Sequence, residues 1–191
     1  MKQLMMWWTK QPINDITLPN GYMFRTYRDG DAKGWIDVCS EGLGTGQWYN
    51  EDFNKEMLQK EGVHPEGIFL IVDEKDEILG TATGIIMQNG LGNVHMVSIS
   101  PKCRGFGMAR PLNAVVIDYL VRNNCNEVML TTDDFRISAI KSYLNAGFRP
   151  VLHDTDMADR WQKILKEFGY EEIITYTEDG KLGPMLKIIQ G

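Results

Sequence analysis

The stretch Ser98-Ile99-Ser100-Pro101-Lys102-Cys103-Arg104-Gly105-Phe106-Gly107-Met108-Ala109 decides how the rest of the chain is read. A strand pattern over Val94–Ser100 ends at Pro101, and a glycine turn, Arg104-Gly105-Phe106-Gly107, opens a helical pattern. Free amides at a helix N-terminus, with the positive end of the helix dipole, hold anions such as phosphate. Glycines let a backbone approach such a group closely. The turn is not a Walker loop, because Gly-Lys-Ser/Thr is absent, and it is not the dinucleotide GxGxxG. An alternating strand–helix pattern does not precede it either.

Upstream, the pattern is an antiparallel meander. Ile68–Val72 is a continuous apolar run, Asp73–Glu77 a turn, and Ile78–Met87 the next strand. Asn89-Gly90 signals a hairpin into Val94–Ser100, since Asn and Gly tolerate positive φ. Before the meander, Tyr22–Arg28 alternates as a strand and Asp31 is placed to cap a helix. Ala32, Trp35, Ile36 and Cys39 form the apolar face of that helix, which Gly42–Gly46 breaks, and Glu51–Lys60 fits a second short helix. The first twenty residues read as a poorly patterned lead-in with one extended piece around Met5–Trp8.

Downstream, the alternation becomes helix–strand–helix–strand. Leu112, Val115, Val116, Tyr119 and Leu120 share a helix face, Glu127–Thr132 is a strand, Ile137, Ile140 and Leu144 mark a helix stopped by Gly147, and Phe148–His153 is a strand. The last strands are expected to lie parallel through right-handed crossovers. Asp156–Phe168 is amphipathic, and Ile173–Thr177 and Met185–Ile189 close the chain as strand-like pieces. The fold class expected is α/β with a mixed, mostly antiparallel sheet.

The chain has 191 residues, a length that favours one domain. Hydrophobic residues make up 43%, which excludes a disordered chain. No apolar run approaches the ~20 residues that span a bilayer, and Leu4–Trp8 is too short for a secretory h-region. Cys39, Cys103 and Cys125 are an odd, widely spaced set, which points to a reducing cytoplasm rather than to disulfides or zinc. The net charge of -6 and the scattered basic residues argue against a nucleic-acid partner.

Arg104-x-x-Gly107-x-Ala109 resembles the Q/R-x-x-G-x-G/A motif of the GNAT superfamily of N-acetyltransferases. Ala139-x-x-x-Tyr143-x-x-x-Gly147-Phe148 resembles that family's second signature. The resemblance covers roughly residues 21–153, leaving residues 1–20 as a lead-in and 154–191 as a C-terminal helix and strands of a single domain spanning 21–191. It implies a GNAT-like sheet with a splayed centre and flanking helices, and acetyl-CoA as co-substrate with no metal. Arg104, Gly105, Phe106, Gly107, Met108 and Ala109 would cradle the coenzyme A pyrophosphate. The backbone of Val97, Ser98 and Ile99 would hold the pantetheine arm, and an amide near Val97–Ser98 would face the thioester oxyanion. Ala139 leaves room for the cofactor arm. Arg136 stands where the family motif begins with Asn, and its guanidinium suits a coenzyme A phosphate.

By the same resemblance Tyr143 is the expected acid for the departing thiolate, on a face offset from Ile137, Ile140 and Leu144; a core tyrosine is its plain structural alternative. The base is less determined. His95 has a suitable intrinsic pKa and alternates with Val97 onto one strand face. Glu41 is a second candidate, while Asp133 and Asp134 suit helix capping. Trp48 and Tyr49 offer an aromatic wall for an acceptor. The expected reaction transfers acetyl to a small-molecule or peptide amine by direct attack in a ternary complex. A non-catalytic coenzyme A-binding module and an unrelated phosphate-ligand protein are the alternatives. The C-terminal helix with Trp161 suits either packing on its own domain or a homodimer contact.

Overall fold

The computed structural model describes residues 2–189. The chain divides into two compact units, one of residues 12–126 and one that joins residues up to 11 with those from 127 onward.

The unit of residues 12–126 is built on an antiparallel meander. Strand β2 (Tyr22–Thr26) pairs with β3 (Val63–Asp73), β3 with β4 (Ile78–Ile86), and β4 with β5 (Gly92–Ile99). The Asn89-Gly90 turn closes the last hairpin, with Gly90 at φ 80°. Helix α1 (Ala32–Gly42) buries Trp35, Ile36 and Cys39, the face its spacing foretells. Asp31 stands at its N-cap position without a side-chain cap bond. Its carboxylate instead turns back to the preceding strand and loop, accepting Arg25 Nη1 (2.7 Å) and Nη2 (2.9 Å) and the Arg28 amide (2.7 Å). Helix α2 (Asn50–Phe53) has Glu51 and Asp52 in its first turn and runs on into a π-helical turn, Asn54–Leu58. Trp35, Phe53, Met57, Ile68, Leu70 and Val72 form one core cluster, with the Trp35 and Phe53 rings edge to face at 5.2 Å.

A 3₁₀ turn (Pro101–Cys103) and the glycine loop lead into α3 (Ala109–Arg122). Leu112, Val116 and Leu120 are fully buried on its inner face. Tyr119 lies over Gly67 and Gly84 of the sheet. A Cβ on Gly67 would come 2.8 Å from the Tyr119 ring, and one on Gly84 2.9 Å, so only glycine lets helix and sheet approach there.

In the other unit, β1 (Leu4–Thr9) pairs antiparallel with β6 (Glu127–Thr132) on one side and with β7 (Arg149–Pro150) on the other. The extended piece expected around Met5–Trp8 is therefore the middle strand of this unit, with Leu4, Met6, Trp7 and Trp8 buried. Strands β6 and β7 share a direction, as the crossover reading requires, but β1 lies between them and takes their hydrogen bonds. Strand β7 is also shorter than the expected Phe148–His153: Pro150 has no amide to give, and after the Val151 amide donates to Met5 the Leu152 amide turns to the Tyr176 carbonyl. Helix α4 (Ile137–Asn145) ends before Gly147, which takes φ 98°. Helix α5 (Met157–Glu167) buries Met157, Trp161, Ile164 and Leu165. Strands β8 (Glu172–Tyr176) and β9 (Leu182–Lys187) form an antiparallel hairpin.

Candidate active site

The site residues of the 12–126 unit lie on β5 and the loop after it. Strand β5 is not regular. Thr83 pairs with His95, yet Thr81 pairs with Ser98, so Ala82 alone faces both Met96 and Val97. Met96 takes φ 51°, a left-handed backbone that a residue with a side chain adopts at a cost. This is a β-bulge, and its extra residue disrupts the ladder to β4.

The bulge also changes which side chains share a face. His95 lies opposite Thr83 and Ser98 opposite Thr81, so His95 and Ser98 share a face and Val97 lies on the other. The alternation expected from the sequence, His95 with Val97, is overturned by that one inserted residue. Ser98 is buried and its hydroxyl donates to the Val38 carbonyl of α1 at 2.8 Å. Val97 and Ile99 are half-buried.

Below the bulge, Ser100 Oγ donates to Glu41 Oε2 at 3.0 Å and accepts from the Lys102 amide at 3.4 Å. Glu41 is thereby tied to the strand end. Lys102 reaches Glu77 at 2.8 Å, while Arg104 is exposed. Gly105 and Gly107 take φ 84° and 75°, and a Cβ on either would meet no atom within 4 Å. Their glycine character is thus required by backbone conformation, not by crowding. Phe106 is exposed and Met108 buried. Helix α3 has no side-chain cap and no acid in its first turn, so nothing negative competes for its N-terminal amides. Pro111 lies in that first turn, where a missing amide costs little.

His95 is not solitary. Its Nε2 lies 2.9 Å from Oε2 of Glu56, in the π-helical turn, and the same oxygen receives Lys60 Nζ at 2.5 Å. Burial, and then the Lys60 charge, push the imidazole pKa down to about 4 against the opposing pull of Glu56. Burial works against ionisation of Glu56, but its bonds to Lys60 and His95 outweigh this and hold its pKa below the usual range. Sequence reasoning missed Glu56; only its place in the helical pattern, four residues before Lys60, could have marked it. Of the expected aromatic wall, Trp48 is packed edge to face on Trp35 at 5.7 Å with its indole N–H donated to Thr45, while Tyr49 is exposed.

In the other unit, Arg136 occupies the N-cap of α4 and donates Nε to Asp133 Oδ2 at 3.1 Å. Asp133 also accepts from Gln3, and Asp134 is held by Arg160 Nε at 2.9 Å. These two acids are ion-pair partners and not helix caps. Ala139 is half-buried one turn before Tyr143. Tyr143 is buried, as Ile140 and Leu144 are, and its ring meets Phe148 edge to face. Burial pushes its phenol up to about 12, slightly offset by Arg136. The phenol is therefore protonated at any physiological pH. Among the described residues no group of three or more metal-ligating side chains occurs, and no helix is long and apolar enough to cross a membrane.

A bulged strand feeding an uncapped, glycine-led helix beside a disrupted ladder is the local arrangement within this α/β protein. The model of the Acetyltransferase (GNAT) family matches residues 16–148, and the chain belongs to that family. A mycothiol acetyltransferase of Acidothermus cellulolyticus is 29% identical over 157 residues, covering 72% of this chain and 48% of its own length. One from Saccharopolyspora erythraea is 27% identical and covers 80% and 52%. The chain thus spans about half the length of these curated relatives. Among solved structures, a GCN5-related N-acetyltransferase from Sphaerobacter thermophilus superposes with a TM-score of 0.66 at 28% identity, over 77% of this chain and 47% of that one. The NatC complex bound to Gag peptide and CoA shares the fold at 19% identity, with a TM-score of 0.54 over 65% of this chain and 82% of that one.

Proposed function

We propose that the protein is an N-acetyltransferase that moves an acetyl group from acetyl-CoA to an amine by direct attack in a ternary complex. The observation that carries this reading is the bulge at Met96 followed by a glycine turn with open space over both glycines. The residues fit a phosphate-bearing thioester. Arg104 supplies charge, the loop and α3 amides supply donors, and Val97–Ile99 supply strand backbone for an extended arm. An amide released from the ladder at the bulge suits an oxyanion. Acetyl-CoA itself supplies an acyl group activated as a thioester.

Tyr143 is assigned the proton for the departing sulfur, since a phenol held protonated by burial remains a donor across neutral pH. His95 is assigned the proton lost by the amine. The acceptor is a small-molecule or peptide amine. The mycothiol acetyltransferase relatives support acetyl transfer, and the acceptor of this chain is left to experiment. A second reading, a coenzyme A-binding module without turnover, draws on the burial of Tyr143 among Ile140, Leu144 and Phe148 and on the engagement of Arg136 by Asp133.

Thermal unfolding with acetyl-CoA separates these readings from an unrelated fold use. A ligand at 100 times its Kd adds about 2.7 kcal/mol, a shift of several degrees for a protein of this size. The shift is expected in the native protein and lost in Arg104→Glu. Coenzyme A release with an amine panel then distinguishes enzyme from module. Tyr143→Phe is expected to lower kcat by about 10²–10⁴ while retaining the thermal shift. Binding with no release from any amine would favour the module.

A further inference from the structure

The π-helical turn carries the Glu56 carboxylate to His95, 39 positions along the chain. The Gln59 amide donates to the Asn54 carbonyl five residues back at 2.8 Å, and such widened turns recur at functional sites. Within the turn, Met57 is buried and receives the Thr83 hydroxyl on its sulfur at 3.4 Å. Glu56, beside it, meets His95, the strand partner of Thr83. Two neighbouring residues of one turn thus engage one cross-strand pair. The charged groups facing the imidazole are Glu56 and Lys60, with Lys55 Nζ 4.0 Å from the outer carboxylate oxygen of Glu56. From β4 the facing side chain is the uncharged Thr83.

An ionised carboxylate only accepts hydrogen bonds, so the imidazole nitrogen facing it carries the proton. The other nitrogen is then a bare lone pair. The side-chain hydrogen bond that His95 makes to Glu56 runs through Nε2 and leaves Nδ1 on the far side of the ring. We propose that Glu56 is a positioning residue that fixes His95 as its Nε2–H tautomer and so presents Nδ1 as the proton acceptor for the incoming amine. This rests on the reading of the chain as an N-acetyltransferase with His95 as base.

The protons balance as follows. The ammonium form of the acceptor gives one proton to Nδ1 and becomes a neutral amine. Its nitrogen bonds to the acyl carbon as the carbon–sulfur bond breaks. A second proton leaves that nitrogen as the amide forms and is accounted for on the coenzyme A thiol. The imidazolium, held meanwhile against Glu56, returns its proton to water. Lys60 keeps the imidazole from holding that proton too firmly, because its charge opposes the imidazolium.

The chain has three histidines, His64, His95 and His153, so ¹⁵N-histidine NMR of the whole protein resolves the ring directly. His95→Gln identifies its signals. The native His95 is expected as a single Nε2–H tautomer that titrates well below 6.5. Glu56→Gln is expected to mix the tautomers, since an amide can present either an acceptor or a donor. Lys60→Gln keeps the carboxylate and is expected to keep the tautomer while raising the imidazole pKa. With the amine that turns over fastest in the panel, Glu56→Gln should lower kcat about 10- to 100-fold at unchanged KM for acetyl-CoA. The acid limb of the rate profile should move to higher pH in Lys60→Gln.

A native His95 that is Nδ1–H or already mixed overturns the proposal. So does a Glu56→Gln protein with mixed tautomers and unchanged kcat. Native protein that neither binds acetyl-CoA nor releases coenzyme A would sink the enzyme reading and the catalytic part of this inference with it. The ring signals would still decide whether Glu56 sets the tautomer. If Glu56→Gln does not fold, Lys60→Gln carries the test through its tautomer and its pH profile.

Discussion

His95 shows how much a single buried ring can report. Its pKa is near 6.5 in an unfolded chain and about 4 in the folded one, chiefly through burial. Between those values the unfolded chain binds a proton that the native ring refuses. Stability therefore falls as pH drops from about 6.5 to 4, and this contribution is constant outside that window. A shift of this size is worth on the order of 3 kcal/mol. Chemical denaturation at pH 7 and pH 4.5 should show the loss, and His95→Gln should remove most of its histidine-dependent part. Equal pH dependence in native and variant protein would contradict the burial of a neutral ring.

At the scale of elements, the contact between α1 and β5 sets the strand that the acyl group would follow. Gly42, the last residue of α1, lies against β5. A Cβ there would come 2.8 Å from the Ile99 carbonyl and would also strike the Ser98 hydroxyl. Backbone cannot yield as a flexible side chain does. Gly42→Ala is expected to destabilise the protein by about 1–3 kcal/mol, measured by urea denaturation. It should also weaken acetyl-CoA binding, because Ser98 and Ile99 are assigned to the arm. An unchanged midpoint would mean that the helix end shifts freely. Sequence reading treated Gly42 only as a helix breaker, which is the local half of its role; the close approach to Ser98, 56 positions on, is visible only once the helix is laid on the strand.

At the scale of the whole molecule, the two units differ in how they use the chain. The 12–126 unit is continuous, and its meander and helices follow in sequence order. The other unit draws its middle strand from residues Leu4–Thr9 and its flanking strands from more than a hundred residues later. Deleting residues 1–11 would strip β6 and β7 of their shared partner and expose the surfaces that bury Met6, Trp7 and Trp8. Loss of a cooperative thermal transition, or of near-ultraviolet dichroism from the tryptophans, is expected for that truncation. A truncated protein with native dichroism and midpoint would show that β1 is dispensable.

The sequence by itself determined the order of strands and helices, the apolar faces of α1, α3 and α5, the glycine turn before α3, and the family to which the two motifs point. These are short-range properties: a helix face, a hairpin turn and a glycine conformation are set by residues within a few positions of each other. Only the tertiary structure decided that β1 lies between β6 and β7, that one extra residue at Met96 turns His95 to the face of Ser98, and that Glu56 meets His95 across 39 positions. Strand register is the common physical reason. A one-residue change reverses which face a side chain joins, and nothing local to either strand records which register the packed sheet will take.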